Sequence, residues 1–145
     1  MYKILDNLAT HRIGEPGILK GYSECKQGSI DNFRIIDVRT LVDGPNPSFD
    51  YELSIMRVIS NLEIDEKVVI CCRLGISRSN AIALGVLVHY FKIEFDQALE
   101  LIISKVPICN ILTPHILALQ KLFNIRYTRC LKTDTLSFLG YRHTN

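Results

Sequence analysis

The chain has 145 residues, of which 48% are hydrophobic and 22% charged, and its formal net charge is +2. That length suits one domain with one core, and a composition near the globular average excludes disordered and fibrous classes. So small a charge does not suggest a general nucleic-acid binder, and the longest apolar run, Ala81 to Phe91 with His89 inside it, is about half of the roughly 20 residues a membrane span needs.

In chain order, residues 2–10 predict one or two short strands, Gly14 to Gly17 a turn, and residues 18–27 a short helix ended by Gly28 and Ser29. Phe33-Arg34-Ile35-Ile36-Asp37-Val38 is rich in β-branched residues and predicts a buried strand. Asp43-Gly44-Pro45-Asn46-Pro47-Ser48 reads as a loop rather than a linker between domains. Ser48 or Asp50 can cap a helix reaching about Asn61, with Leu53, Met56, Ile59 and Leu62 at helical spacing. Lys67 to Cys72 is strand-like, Arg73 to Ser77 a loop, and Ser79 to Phe91 an apolar, buried helix. Phe95 to Lys105 is amphipathic, with apolar residues at 95, 98, 99, 102, 103 and 106, and Pro107 ends it. Thr113 as N-cap and Pro114 in the first turn open a last helix to about Phe123, and residues 126–145 are ambiguous, with a mild basic excess. Strands alternating with helices predict a single α/β domain over residues 1–145, its central sheet mainly parallel and its C-terminal half helical.

The N-terminus, Met1-Tyr2-Lys3-Ile4-Leu5-Asp6, carries an acid and no long apolar stretch, unlike a secretory signal. The cytoplasm is the expected location, where thiols stay reduced. The cysteines are Cys25, Cys71, Cys72, Cys109 and Cys130, an odd number with no Cys-x-x-Cys pair, so neither a disulfide framework nor a zinc site is expected. His11, His89, His115 and His143 have no metal-ligand spacing, and no metal or cofactor is expected.

Chemistry concentrates in Cys72-Arg73-Leu74-Gly75-Ile76-Ser77-Arg78-Ser79. A buried strand runs into a tight loop that opens a buried helix. Such a loop can turn successive N–H groups inward as an anion cradle, and the helix N-terminus adds partial positive charge there. Gly75 permits backbone geometry that a side chain would obstruct. Cys72 sits at the lip of the cradle, where these dipoles favour a thiolate. Arg78 can hold two phosphate oxygens with its planar fork, and Ser79 can donate a hydrogen bond to the sulfur. Arg73, Leu74, Gly75, Ile76, Ser77 and Arg78 are thus the expected phosphate-binding residues. A βα turn with an incidental Cys and Arg is the plainer alternative, and the placement between a buried strand and a buried helix argues against it.

This segment resembles the signature of the cysteine-dependent protein tyrosine phosphatase superfamily, most closely the dual-specificity branch, whose loop reads His-Cys-x-x-Gly-x-Ser-Arg-Ser. The resemblance extends at motif spacing over about residues 33–123. It implies a central sheet with helices on both sides and a two-step reaction through a phosphocysteine. It also implies a carboxyl group on a mobile upstream loop, acting first as acid and then as base. Asp37, Asp43, Asp50 and Glu52 are the candidates. Asp43 opens a Gly/Pro loop ahead of a helix, 29 residues before Cys72, and is the preferred one. Two positions depart from the family: Cys71 stands where His is usual, and Asn80 where Pro or another small residue is common.

The loop interior carries no lysine, unlike relatives acting on inositol phospholipids, and the chain is less basic than expected for RNA 5′-triphosphatase relatives. A phosphorylated protein is the expected partner, through phosphotyrosine and also phosphoserine or phosphothreonine, with neither membrane nor nucleic acid. The competing readings are a non-catalytic phosphate-binding module and a sulfurtransferase or arsenate reductase, which also place a cysteine in an anion loop.

Overall fold

A computed structural model of the chain describes residues 1–12 and 28–125. The turn at Gly14–Gly17, the helix over 18–27 and the basic tail therefore lie outside the described residues.

Among the described residues five strands form one mixed sheet: β1 (Tyr2–Leu5), β2 (Leu8–Arg12), β3 (Ser29–Ile30), β4 (Phe33–Asp37) and β5 (Lys67–Cys72). Their order is β1-β2-β5-β4-β3, with β2, β5 and β4 parallel at the centre and antiparallel hairpins at both edges. The central strand β5 is buried from Val68 to Cys72, which is why it reads as a continuous apolar run rather than an alternating one. Edge strand β3 falls where a helix end was expected. Its hairpin turns on Asp31 and Asn32, both at positive φ (49° and 70°), the geometry a two-residue β-turn requires.

The described residues also form four helices: α1 (Ser48–Glu63), α2 (Arg78–His89), α3 (Phe95–Lys105) and α4 (Thr113–Leu122). All four join Leu8, Ile36, Val68, Ile70 and Cys72 in one core on one face of the sheet. The alternate residues Ala9, Phe33, Ile35, Val69 and Cys71 form a second, smaller cluster on the other face. Helix α2 is buried over nearly its whole length and is the pillar of the domain. Gly85 lets α1 approach it: a Cβ there would run into the Ile55 side chain.

Three expectations are corrected at the helices. The buried face of α1 is Tyr51, Ser54, Ile55, Val58, Ile59 and Leu62, whereas Leu53 and Met56 are exposed. Apolar residues occur on both sides of this helix, so periodicity offers two phases, and packing against α2 selects the longer stripe. Neither Ser48 nor Asp50 caps α1, whose N-cap is Pro47, with no side-chain capping bond. Helix α4 likewise starts one residue earlier than expected: Leu112 is the N-cap and Thr113 is already helical.

Candidate active site

The C-terminal ends of β2, β5 and β4 open on the same side, and in the sheet register Cys72 pairs with Arg12 while Cys71 pairs with Asp37. Parallel strands place ligand sites at such ends. Here β5 runs through residues 73–77 into α2, and the loop floors a pocket lined by Asp43, Cys72, Leu74, Ile76, Ser77, Arg78, Asn110 and Leu112.

The loop is shaped by Gly75 and held by Asn80. Gly75 has a φ of +69°, and a Cβ on it would sit 3.0 Å from the backbone nitrogen of Arg12 and 3.2 Å from the carbonyl carbon of His11. Asn80, fully buried in the first turn of α2, donates its side-chain N–H groups to the carbonyls of Gly75 (3.1 Å) and Ile76 (3.0 Å). The Asn80 side-chain oxygen accepts from the Thr10 hydroxyl on β2 at 3.0 Å. The Ile76 carbonyl also accepts from the Asn110 N–H, and the Ser77 hydroxyl accepts from the Leu112 N–H, both at 3.0 Å. Because C=O and N–H of a trans peptide point opposite ways, carbonyls bound on one side send the N–H groups of Ile76 and Ser77 to the other.

Cys72 Sγ lies 3.2 Å from Ser79 Oγ, and both residues are buried. Arg78 reaches from α2 toward the segment after β4, donating through Nη1 to the carbonyls of Leu41 (2.9 Å) and Arg39 (3.3 Å). Its Nε faces Asp43 Oδ1 at 3.4 Å. Arg73 and Leu74 are exposed at the rim.

The four acidic candidates separate clearly. Asp37 is clamped by Arg39, accepting from its backbone N–H at 2.9 Å and from its guanidinium at 2.7–3.0 Å. That pairing raises the Arg39 pKa. Asp50 is exposed in the first turn of α1, and Glu52 borders a separate apolar groove with Ile55, Met56, His89, Leu122 and Phe123. Asp43 alone of the four lines the pocket that contains Cys72. Its loop is closed by Asn46, whose side chain accepts from the Val42 N–H (2.8 Å) and donates to the carbonyls of Val42 (2.9 Å) and Gly44 (3.0 Å).

Two site residues escape a reading of the sequence. Asn80 binds the loop through a partner 70 positions away. His115, fully buried at the start of α4, points Nε2 at Asp43 Oδ1 from 3.6 Å, and its Nδ1 meets the Tyr51 hydroxyl at 2.6 Å. Burial lowers its pKa below the usual histidine value, against a smaller opposing effect of Asp43. The local signals were a polar residue in an otherwise apolar helix and a histidine three residues into a helix, neither specific on its own.

Cys71, in place of the usual histidine, points away from the pocket into the smaller core cluster, and burial pushes its pKa up to about 12. His89 is exposed and stacks on Phe123 with ring centroids 5.9 Å apart. Among the described residues no helix is long and apolar enough to cross a membrane.

No protein-family model matches the sequence, and no curated protein matches it by sequence. Solved structures do match. A leucine-rich-repeat and phosphatase-domain protein from Entamoeba histolytica superposes with a TM-score of 0.66 at 16% identity, covering 85% of this chain and 90% of that one. Human DUSP28 gives 0.68 at 13%, covering 86% and 96%, and Tk-PTP in its active form gives 0.64 at 14%, covering 86% and 96%. Identities this low speak to architecture alone: the chain has the α/β fold of the dual-specificity phosphatase structures on which it superposes.

Proposed function

We infer that the protein hydrolyses phosphomonoesters through a phosphocysteine intermediate, with phosphorylated proteins as substrates. The observation that carries this reading is one pocket holding a thiol at the base of an anion loop, a guanidinium beside it and a carboxylate on the facing loop.

In the first step the Cys72 thiolate attacks phosphorus, the bond from phosphorus to the ester oxygen breaks, and Asp43 gives its proton to the leaving oxygen. The loop N–H groups and the Arg78 fork balance charge on the transferring oxygens. In the second step the Asp43 carboxylate takes a proton from water, the water oxygen attacks phosphorus, and the S–P bond breaks. The Ser79 hydroxyl, 3.2 Å from the sulfur, donates to the departing thiolate, and inorganic phosphate leaves. No step uses a metal, so turnover is expected to persist in a chelator.

The rim carries exposed Leu74 beside exposed Arg73 and no lysine, and an apolar contact next to the anion loop favours a phosphoresidue in a polypeptide over a polyanionic lipid or RNA end. The test is turnover of p-nitrophenyl phosphate followed by a panel of phosphopeptides, phosphoinositides and 5′-triphosphate RNA, each on wild type and Cys72→Ser. Hydrolysis of phosphopeptides that is lost in Cys72→Ser supports the reading. Phosphate release no greater than that of Cys72→Ser refutes catalysis and leaves a phosphate-binding module of the same fold.

A further inference from the structure

Behind Asp43 lies a chain of polar groups that the two chemical steps above do not use. Asn46 shares its two side-chain N–H donors among the Val42 and Gly44 carbonyls and the Tyr51 hydroxyl oxygen, the last at 3.2 Å. With an oxygen lone pair so engaged, the hydroxyl hydrogen is available to His115 Nδ1, 2.6 Å away. Burial keeps that hydrogen in place by raising the Tyr51 pKa above its usual value. An imidazole that accepts at Nδ1 carries its own hydrogen on Nε2. Burial and the N-terminus of α4 both disfavour the imidazolium, so this neutral tautomer is the one selected.

Among the described residues the buried Nε2–H has no hydrogen-bond partner, and Asp43 Oδ1 lies 3.6 Å from the nitrogen. Closing to hydrogen-bond length requires a shift of about 0.7 Å, and catalytic hydrogen bonds are commonly long before substrate binds. Arg78 Nε approaches the same oxygen. Both donors therefore act on Oδ1, and the other oxygen, Oδ2, is left to carry the transferable proton.

We propose that Asn46, Tyr51 and His115 form a relay that fixes His115 as an Nε2–H donor and thereby positions Asp43 for proton transfer to the leaving group. The proposal rests on the assignment of Asp43 as the acid. His115 touches no substrate in this scheme and is a positioning residue.

Leaving-group dependence separates positioning from packing, because an acid matters for a poor leaving group and little for a good one. The assay compares kcat and KM for phenyl phosphate and 2,4-dinitrophenyl phosphate in wild type, Asp43→Asn, His115→Leu, His115→Gln and Tyr51→Phe, with Tm measured for each. Asp43→Asn is expected to lose about 100-fold or more on phenyl phosphate and far less on the dinitrophenyl ester. His115→Leu is expected to lose about 10-fold, also confined to phenyl phosphate and with KM unchanged, and His115→Gln, which keeps an N–H donor, to recover most of it. Tyr51→Phe keeps the ring that packs in the core and is expected to repeat the His115→Leu pattern more weakly. It serves as the decisive variant should His115→Leu not fold.

Equal losses on both esters for His115→Leu, or an unaltered leaving-group dependence in Tyr51→Phe, overturn the relay while leaving Asp43 as the acid. Absence of leaving-group dependence in Asp43→Asn overturns the acid assignment and the relay with it.

Discussion

Replacing Gly75 by alanine separates the shape of the proposed phosphate loop from its chemistry. The residue has a φ of +69°, where an L side chain costs about 1–2 kcal/mol. The added methyl would also meet the backbone nitrogen of Arg12 at 3.0 Å and the carbonyl carbon of His11 at 3.2 Å. Those atoms belong to β2, held in register against Cys71 and Cys72, so they cannot rotate aside as a side-chain tip would. The loop relieves the strain by leaving the cradle conformation, and 1–2 kcal/mol corresponds to a competent fraction lower by about 5–30-fold. The expected result is a loss of that size in kcat/KM for p-nitrophenyl phosphate and an equal weakening of vanadate inhibition. A Tm lower by about 2–8 °C should accompany it. Gly44→Ala is the control, since its Cβ would have nothing within 4 Å, and its stability should stay within about 0.5 kcal/mol of wild type. Wild-type vanadate affinity and Tm in Gly75→Ala would show that the loop does not need this backbone geometry and would refute the reasoning.

Two further outcomes are expected. Arg78→Lys keeps the charge but cannot both hold the Leu41 and Arg39 carbonyls and form a planar fork, so kcat should fall by about 100-fold or more while Tm falls by only a few degrees; steady-state kinetics and a thermal melt check this. Burial raises the pKa of Cys71 and of Cys109 to about 12, so neither should react with iodoacetamide at pH 7.5 in the folded protein, and both should react in guanidinium; peptide mapping reads this residue by residue.

What the sequence revealed and what it hid follow one physical division. The β5–loop–α2 unit was legible because everything that defines it is contiguous: a β-branched run, a glycine, then an apolar helix. Asp43 could be preferred over Asp37, since an acid inside an apolar strand is poorly placed to move, and the Asp37–Arg39 clamp fits that argument. The phase of α1 was not legible because Phe49, Leu53 and Met56 offer an apolar stripe that tertiary packing leaves in solvent. His115 and Asn80 were hidden for a different reason. Their roles depend on Tyr51 and Thr10, 64 and 70 positions away, and no local period reports a contact of that span.

The short loop around Asp43 carries a consequence for the energetics of recognition. Asn46 bonds Val42 in both directions, so its side chain imitates the paired exchange of neighbouring β-strands, and the five residues 42–46 form a self-closed ring. Ordering a free loop of that length costs about 1–2 kcal/mol per residue, on the order of 5–10 kcal/mol in all. Here that entropy is lost during folding rather than at the encounter with substrate. The Asp43 carboxylate is thereby carried on a pre-ordered segment, and in the proposed mechanism binding affinity is not spent on freezing it.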